Sequence, residues 1–362
     1  MAYTTIDNPE LYFQTKIYAA NNTDSTAITL DGDEDMSPNM CWWKNRSAAY
    51  SHRIIDTVRG VTKILTPDTN AAEATNSNAL ASFDSDGFTL NADGDGYGLN
   101  YDNTHNIVAW CWKAGSAFSN DASATSVGSI DSDGSINTTS GFAIIRWSGT
   151  AANATIAHGI AAPKMMIIKR ISGGTESWIV YHQAISPAAH LFLNGTDAEN
   201  ADVDNFQDTA TTSSVFSVGT YNQMNASGTD NMIAYCFAEK QGFSKFGGYT
   251  GNGDSGTDGT FVYLGFRPAL LLVKRTNGTK DWKIFDNKRN GYNGSNEVLE
   301  PNNSDAEDTT EFLDFLSNGF KWRIPSSDAK YADVNGDGDT FVYYAVAEAP
   351  FVNSNGVPCN AR

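Results

Sequence analysis

Basic residues are scarce in this chain. Lysine and arginine total 24 against 42 aspartates and glutamates, a formal charge of −18, and the acids are scattered rather than gathered in a tail. Such a surface repels phosphate backbones, which argues against charge-driven binding to nucleic acid, and it favours solubility. Cysteine is also scarce, with Cys41, Cys111, Cys236 and Cys359 and no CxxC or His/Cys spacing of a zinc site. Reduced, buried thiols are the expectation. No window is apolar over a bilayer's thickness, and the start, MAYTTIDNPELYFQTKIY, has neither the basic residues nor the apolar stretch of a secretory leader. We therefore expect no membrane insertion. G-x-S-x-G, HExxH and P-loop patterns are missing too. The five histidines, His52, His105, His158, His182 and His190, bring no nucleophile or metal spacing with them. The expectation is that the protein is not an enzyme, with no catalytic residues and no cofactor other than a candidate calcium ion.

Asn, Thr, Ser, Asp and Gly are abundant, and leucine-rich helical stretches are few. That blend suits short strands joined by turns. A four-part phrase also recurs in fixed order. Pro38, Pro163 and Pro268 each precede a lysine by six residues, at Lys44, Lys169 and Lys274. Next come HRIID (His52 to Asp56), WIVYH (Trp178 to His182) and WKIFD (Trp282 to Asp286). Ala-Glu pairs follow at Glu73, Glu199 and Glu307, and then the apolar runs around Trp110, Tyr235 and Tyr344. Ordered self-similarity is the signature of a duplicated unit. The expected fold is all-β, with three tandem β-sandwich-like repeats. Separate sandwiches and three sectors of one pseudo-threefold body both fit. The divisions are an N-terminal arm (1–16), repeats at 17–141, 142–246 and 247–352, and a C-terminal tail (353–362). Within the phrase, His52 shares a slot with Trp178 and Trp282, and His182 shares one with Asp56 and Asp286, so neither histidine suits a catalytic base. Cys111 and Cys236 share a slot with Ala345, which asks for small volume on an apolar strand.

The loop before each closing run varies: residues 91–106, 219–230 and 325–339 differ in length and chemistry. Recognition tends to live on loops carried by a rigid scaffold. Candidate recognition residues are Asp93, Asp95, Tyr97, Tyr221, Asn225, Trp322 and Tyr331, expected to face solvent. Asp333, Asn335, Asp337 and Asp339 alternate oxygen-bearing side chains with Gly338 among them, as in the first half of a calcium loop. Tyr344 stands where such a loop carries its bidentate glutamate. Asp-Gly pairs are also ordinary turn chemistry, so weak calcium binding and a plain turn both stand.

Taken together, W-K-N-R-S, SFDSDGF, IAYCFAEKQGFSKFGGYTGNG, GFRPALLLVKRT, WKIFDNKRNGYN and the terminal AEAPFVNSNGVPCNAR resemble virion proteins of marine tailed bacteriophages, the tail and tail-fibre proteins. The resemblance runs over essentially the whole chain. It implies a structural component of a virion, a tail fibre or other projecting appendage used in host attachment. Such a protein assembles in the host cytoplasm and is exposed on the extracellular particle. Implied partners are other virion proteins, further copies of the chain in a homo-oligomer, and a host surface glycan or protein. The alternatives are a free glycan-binding lectin or adhesin and, further off, a polysaccharide depolymerase.

Overall fold

The computed structural model describes residues 3–358 except 95, 229, 255–257, 291–292, 294–296, 311–312, 325–327 and 329. The fold is all-β, built from antiparallel pairs with a few single helical turns. One four-strand order occurs three times. In the first segment it is Phe13–Ala19, Asn106–Trp112, Met40–Asn45, Arg53–Asp56. In the second it is Phe142–Ser148, Asn231–Ala238, Pro163–Arg170, Ile179–His182, and in the third Ser244–Thr250, Thr340–Pro350, Phe266–Arg275, Lys283–Asp286. The opening strands Phe13–Ala19 and Ser244–Thr250 straddle the divisions drawn at 16/17 and 246/247. A smaller sheet covers each set: Thr26–Ile28 with Gly87–Leu90 and Leu80–Asp84, then Ala154–Ala157 with Val215–Val218, then Phe261–Tyr263 with Gly319–Trp322 and Leu313–Leu316.

Alternation along each closing strand explains the layering, because successive side chains leave opposite faces. Ile107, Ala109 and Cys111 enter a peripheral core beneath the small sheet, while Val108, Trp110 and Trp112 point to the centre. Met232, Ala234 and Cys236 oppose Ile233, Tyr235 and Phe237 in the same way, as Phe341, Tyr343 and Ala345 oppose Val342, Tyr344 and Val346. The inward sets of all three segments meet in one central core with Trp42, Trp178 and Trp282. The segments are therefore sectors of a single body and not separate sandwiches. Pro163 and Pro268 lack an N–H for the ladder, and the pairing register shifts beside each.

Candidate functional site

The recurring residues of the sequence meet at the junctions between segments. Lys44, Lys169 and Lys274 are at most 1% exposed. Each Nζ donates to a carbonyl two residues before an Ala-Glu pair of another segment: Lys169 to Asn70 at 3.1 Å, Lys274 to Thr196 at 3.2 Å and Lys44 to Ser304 at 3.2 Å. The glutamates return the contact through their backbone. Glu73 N–H donates to the Ile171 carbonyl at 3.3 Å, Glu199 N–H to Thr276 at 2.8 Å and Glu307 N–H to Arg46 at 3.0 Å. The shared slot of His52, Trp178 and Trp282 also crosses the junctions. Trp178 Nε1 donates to Thr66 and Thr69, Trp282 Nε1 to Phe192, and His52 Nε2 to Glu300. His52 Nδ1 accepts from Trp42 Nε1, which places its proton on Nε2. One pattern of ties thus closes a ring, first segment to second, second to third, third to first.

Burial lowers each of these three lysines to about 8. Asp56 and Asp286 sit in a third ring of contacts. Asp56 accepts from Arg59 Nε and from the Tyr235 hydroxyl, and Asp286 from Arg289 Nε and from Trp110 Nε1. In the remaining sector His182 Nε2 donates to the Tyr343 carbonyl and Nδ1 accepts from Ala184 N–H. Desolvation pulls His182 down to about 4. These polar groups are consumed in holding the sectors together.

The loops differ from expectation. Trp322 is fully buried, packed against Phe285, Phe320 and Tyr249 beneath the third small sheet, so it offers no recognition surface. It lies on the inward face of the strand Gly319–Trp322, a direction the loop's variability does not reveal. Asp93 is also buried and accepts from the N–H groups of Tyr97 and Leu99, while Asp95 lies outside the described residues. Tyr97 is half-buried beneath the Arg53 guanidinium. Tyr221, half-buried, precedes the single turn Asn222–Asn225, and Tyr331, half-buried, opens the turn Tyr331–Asp333.

Asn225 is buried as well and acts as a clamp. Its Oδ1 accepts from Thr150 N–H, and its Nδ2 donates to the Ala152 and Gly219 carbonyls. Asn100 and Asn335, both 0% exposed, do the same in the other loops. Asn100 holds the backbone of Asn21 and Asn22, and Asn335 that of Asn252 and Thr260. Each variable loop is thus pinned by one asparagine to the segment after its opening strand. Sequence reasoning missed this set. Its one signal was an asparagine five or six residues before each closing strand, hidden among many others.

The four residues of the candidate calcium loop are not brought together around a common point. Asp333 turns to Lys280 and Lys283, Asp339 pairs with Arg275, Asn335 is the clamp just described, and Asp337 is exposed. A different acidic set, Asp281, Glu300 and Asp333, does converge. The Lys283 ammonium fills it, bonded to both Glu300 and Asp333. Burial alone would lower Lys283, yet Asp333 and Glu300 hold it above its usual range. A lysine provides the positive charge there.

The most distinctive surface feature lies in residues 116–137, which the divisions drawn from the sequence place in the first repeat. Among the described residues, the hairpin Ser116–Asn120 with Ser132–Asn137 adds two strands to the second segment's sheet and has no counterpart in the other two. Gly134 permits the close approach, since a Cβ there would stand 1.8 Å from the Ile144 carbonyl oxygen. Between the strands Asp121 caps the turn Ala122–Thr125, accepting from Ser123 and Ala124 N–H, and Asp131 accepts from Ala122 N–H. Hairpin and sheet enclose an open groove of about 790 Å³. Ser119, Asp121, Asp131, Asp133, Arg146 and Asn231 are among its lining residues. Arg146 and Asp133, opposite each other on neighbouring strands of its wall, pair at 2.7 Å with both side chains well exposed. Trp147 contributes to the floor, buried. The groove can offer donors and acceptors to a polar ligand.

Among curated proteins and among solved structures, none matches the chain significantly. Over residues 8–350 the sequence matches one family, and the chain belongs to it: Domain of unknown function (DUF7483).

Proposed function

We propose that this protein is a non-enzymatic structural component of a tailed-bacteriophage particle, a tail fibre or other projecting appendage that contacts the host surface. The phrase-level resemblance to tail and tail-fibre proteins supports the virion placement. The observation that carries an attachment role is the contrast within one body: three sectors with the same ties, and on the second an added hairpin beside a wide polar groove. Identical copies around a particle would turn a weak site into firm attachment. Buried histidines, lysines and aspartates are spent on the junctions, which favours a scaffold over a catalyst. The test is peptide mass spectrometry of purified particles of a phage encoding this chain, with antibody labelling of the hairpin in electron micrographs. Labelled projections are the expected result. A chain found only in the soluble lysate would overturn the virion reading and leave the free lectin, which the polar lining of the groove also suits.

A further inference from the structure

Cys41 and Cys111 face each other directly across neighbouring strands of the first segment, both 0% exposed. Their sulfurs stand 3.0 Å apart. That is inside the roughly 3.5–4.0 Å at which even two carbon atoms rest, and about 1 Å longer than a disulfide bond. Residues directly opposite in an antiparallel pair have Cα atoms about 4.5 or 5.5 Å apart, both within the range a disulfide spans. The corresponding pairs in the other sectors are Met166 with Cys236 and Leu271 with Ala345. There one large side chain meets one small one. Only the first sector sets two small, oxidisable groups against each other.

We propose that Cys41 and Cys111 form a cross-strand disulfide, a covalent clasp confined to the first sector. Both S–H bonds break and one Sγ–Sγ bond forms, while the two electrons and two protons pass to a small-molecule disulfide, whose S–S bond breaks to give two thiols. The exchange takes place before the sector closes. In the finished fold both sulfurs are covered, and burial holds the Cys41 thiol well above its usual range, so little thiolate is present to attack. The bond fastens the strand Met40–Asn45 to the closing strand Asn106–Trp112, and the chain between them supplies much of the first small sheet. Cys236 has no cysteine opposite it, only Met166 on one side and Ala143 on the other, and stays a thiol.

Full-length protein, with Cys359→Ala to prevent links between chains, is unfolded in reductant and refolded with oxidised glutathione. Non-reducing peptide mapping then reads the pairing. The expected result is one crosslinked peptide pair joining Cys41 to Cys111, with Cys236 alkylated only after denaturation. Thermal unfolding of the refolded protein should fall to a lower midpoint on adding reductant, and Cys41→Ala should abolish that sensitivity. Natively refolded protein in which Cys41 and Cys111 both remain alkylatable after denaturation would overturn the proposal. So would a majority of pairs involving Cys236. Mapping of the unsubstituted Cys41 protein does not depend on the Cys41→Ala variant folding.

Discussion

The junctions and the rim of this molecule follow opposite rules. At the junctions one chemistry appears three times: a buried lysine on a carbonyl, a glutamate N–H on a strand end, a ring nitrogen on a neighbour's backbone. At the rim the sectors differ, apart from the asparagine that pins each variable loop. The second sector carries an extra hairpin and an open groove with an exposed ion pair on its wall. Polar groups in the interior are costly unless every partner is in place, so few arrangements are tolerated there. Exposed polar groups have water as a substitute partner, so they can change at little cost to the fold.

The sharpest way to break this comparison is to remove a buried carboxylate at a junction. Asp286→Ala takes the Nε partner from the buried Arg289 guanidinium, which keeps Glu307 and the Ile284 carbonyl, and takes the acceptor from Trp110 Nε1 across the junction. We expect a loss of about 3–5 kcal/mol in denaturant unfolding. A loss below about 1 kcal/mol would mean the ring of contacts is not what holds the sectors together.

Lysine comes next. Lys169→Met leaves the Asn70 and Glu176 carbonyls without their donor, at a cost of about 1–3 kcal/mol. The pH dependence has a definite sign. The folded value of about 8 lies below the 10.5 of a free lysine, so the folded state binds fewer protons in between. The lysine contribution is complete above pH 10.5 and is lost as pH falls through 8. Stability attributable to Lys169 should therefore rise from pH 8 to 10.5, and Lys169→Met should flatten that part of the profile.

Histidine sharpens the acid side. His182 and His158 are lowered to about 4 from 6.5, chiefly by desolvation. Their contribution is present above pH 6.5 and lost as pH falls through 4. Protonating His182 Nδ1 also breaks its bond from Ala184 N–H at the junction of the second and third segments. Thermal midpoints should fall steadily between pH 6.5 and 4. An unchanged midpoint in that window would show that His182 takes up its proton without disturbing the junction.

The smallest effect on stability belongs to the rim. Asp133→Ala with Arg146→Ala removes an exposed pair and should change unfolding by less than about 1 kcal/mol. Adsorption of particles to host cells should fall in the same variant. Equal adsorption would move recognition away from the groove.

Much of the junction chemistry could be read from the chain as spacing, without its meaning. The proline-to-lysine interval, the shared slot of His52, Trp178 and Trp282, and the Ala-Glu pairs were visible as recurrences. Their partners were not, because Lys44 and Ser304 are far apart in the chain and only packing brings them together. The site was less legible. Trp322 reads as a tip residue because its loop varies, yet alternation along its short strand turns it inward. The alternating acids after Ala332 resemble a calcium loop, but their partners are lysines and an arginine from other strands. The groove arises beside residues 116–137, which the divisions drawn from the sequence assign to the first repeat, whereas their strands pair onto the second segment's sheet.

By itself the sequence determined the local facts: strands of alternating side chains, a register fixed by proline, small residues at the Cys111 slot, and an acidic, turn-rich surface. These depend on neighbours a few residues away, where backbone sterics and the two-residue period act. Tertiary structure decided which face of each strand looks to the shared centre, which carbonyl each buried lysine finds, and which sulfur lies opposite Cys41. Those outcomes depend on the closing of three sectors around one core. Desolvation sets their energies, and no stretch of chain carries that environment within itself.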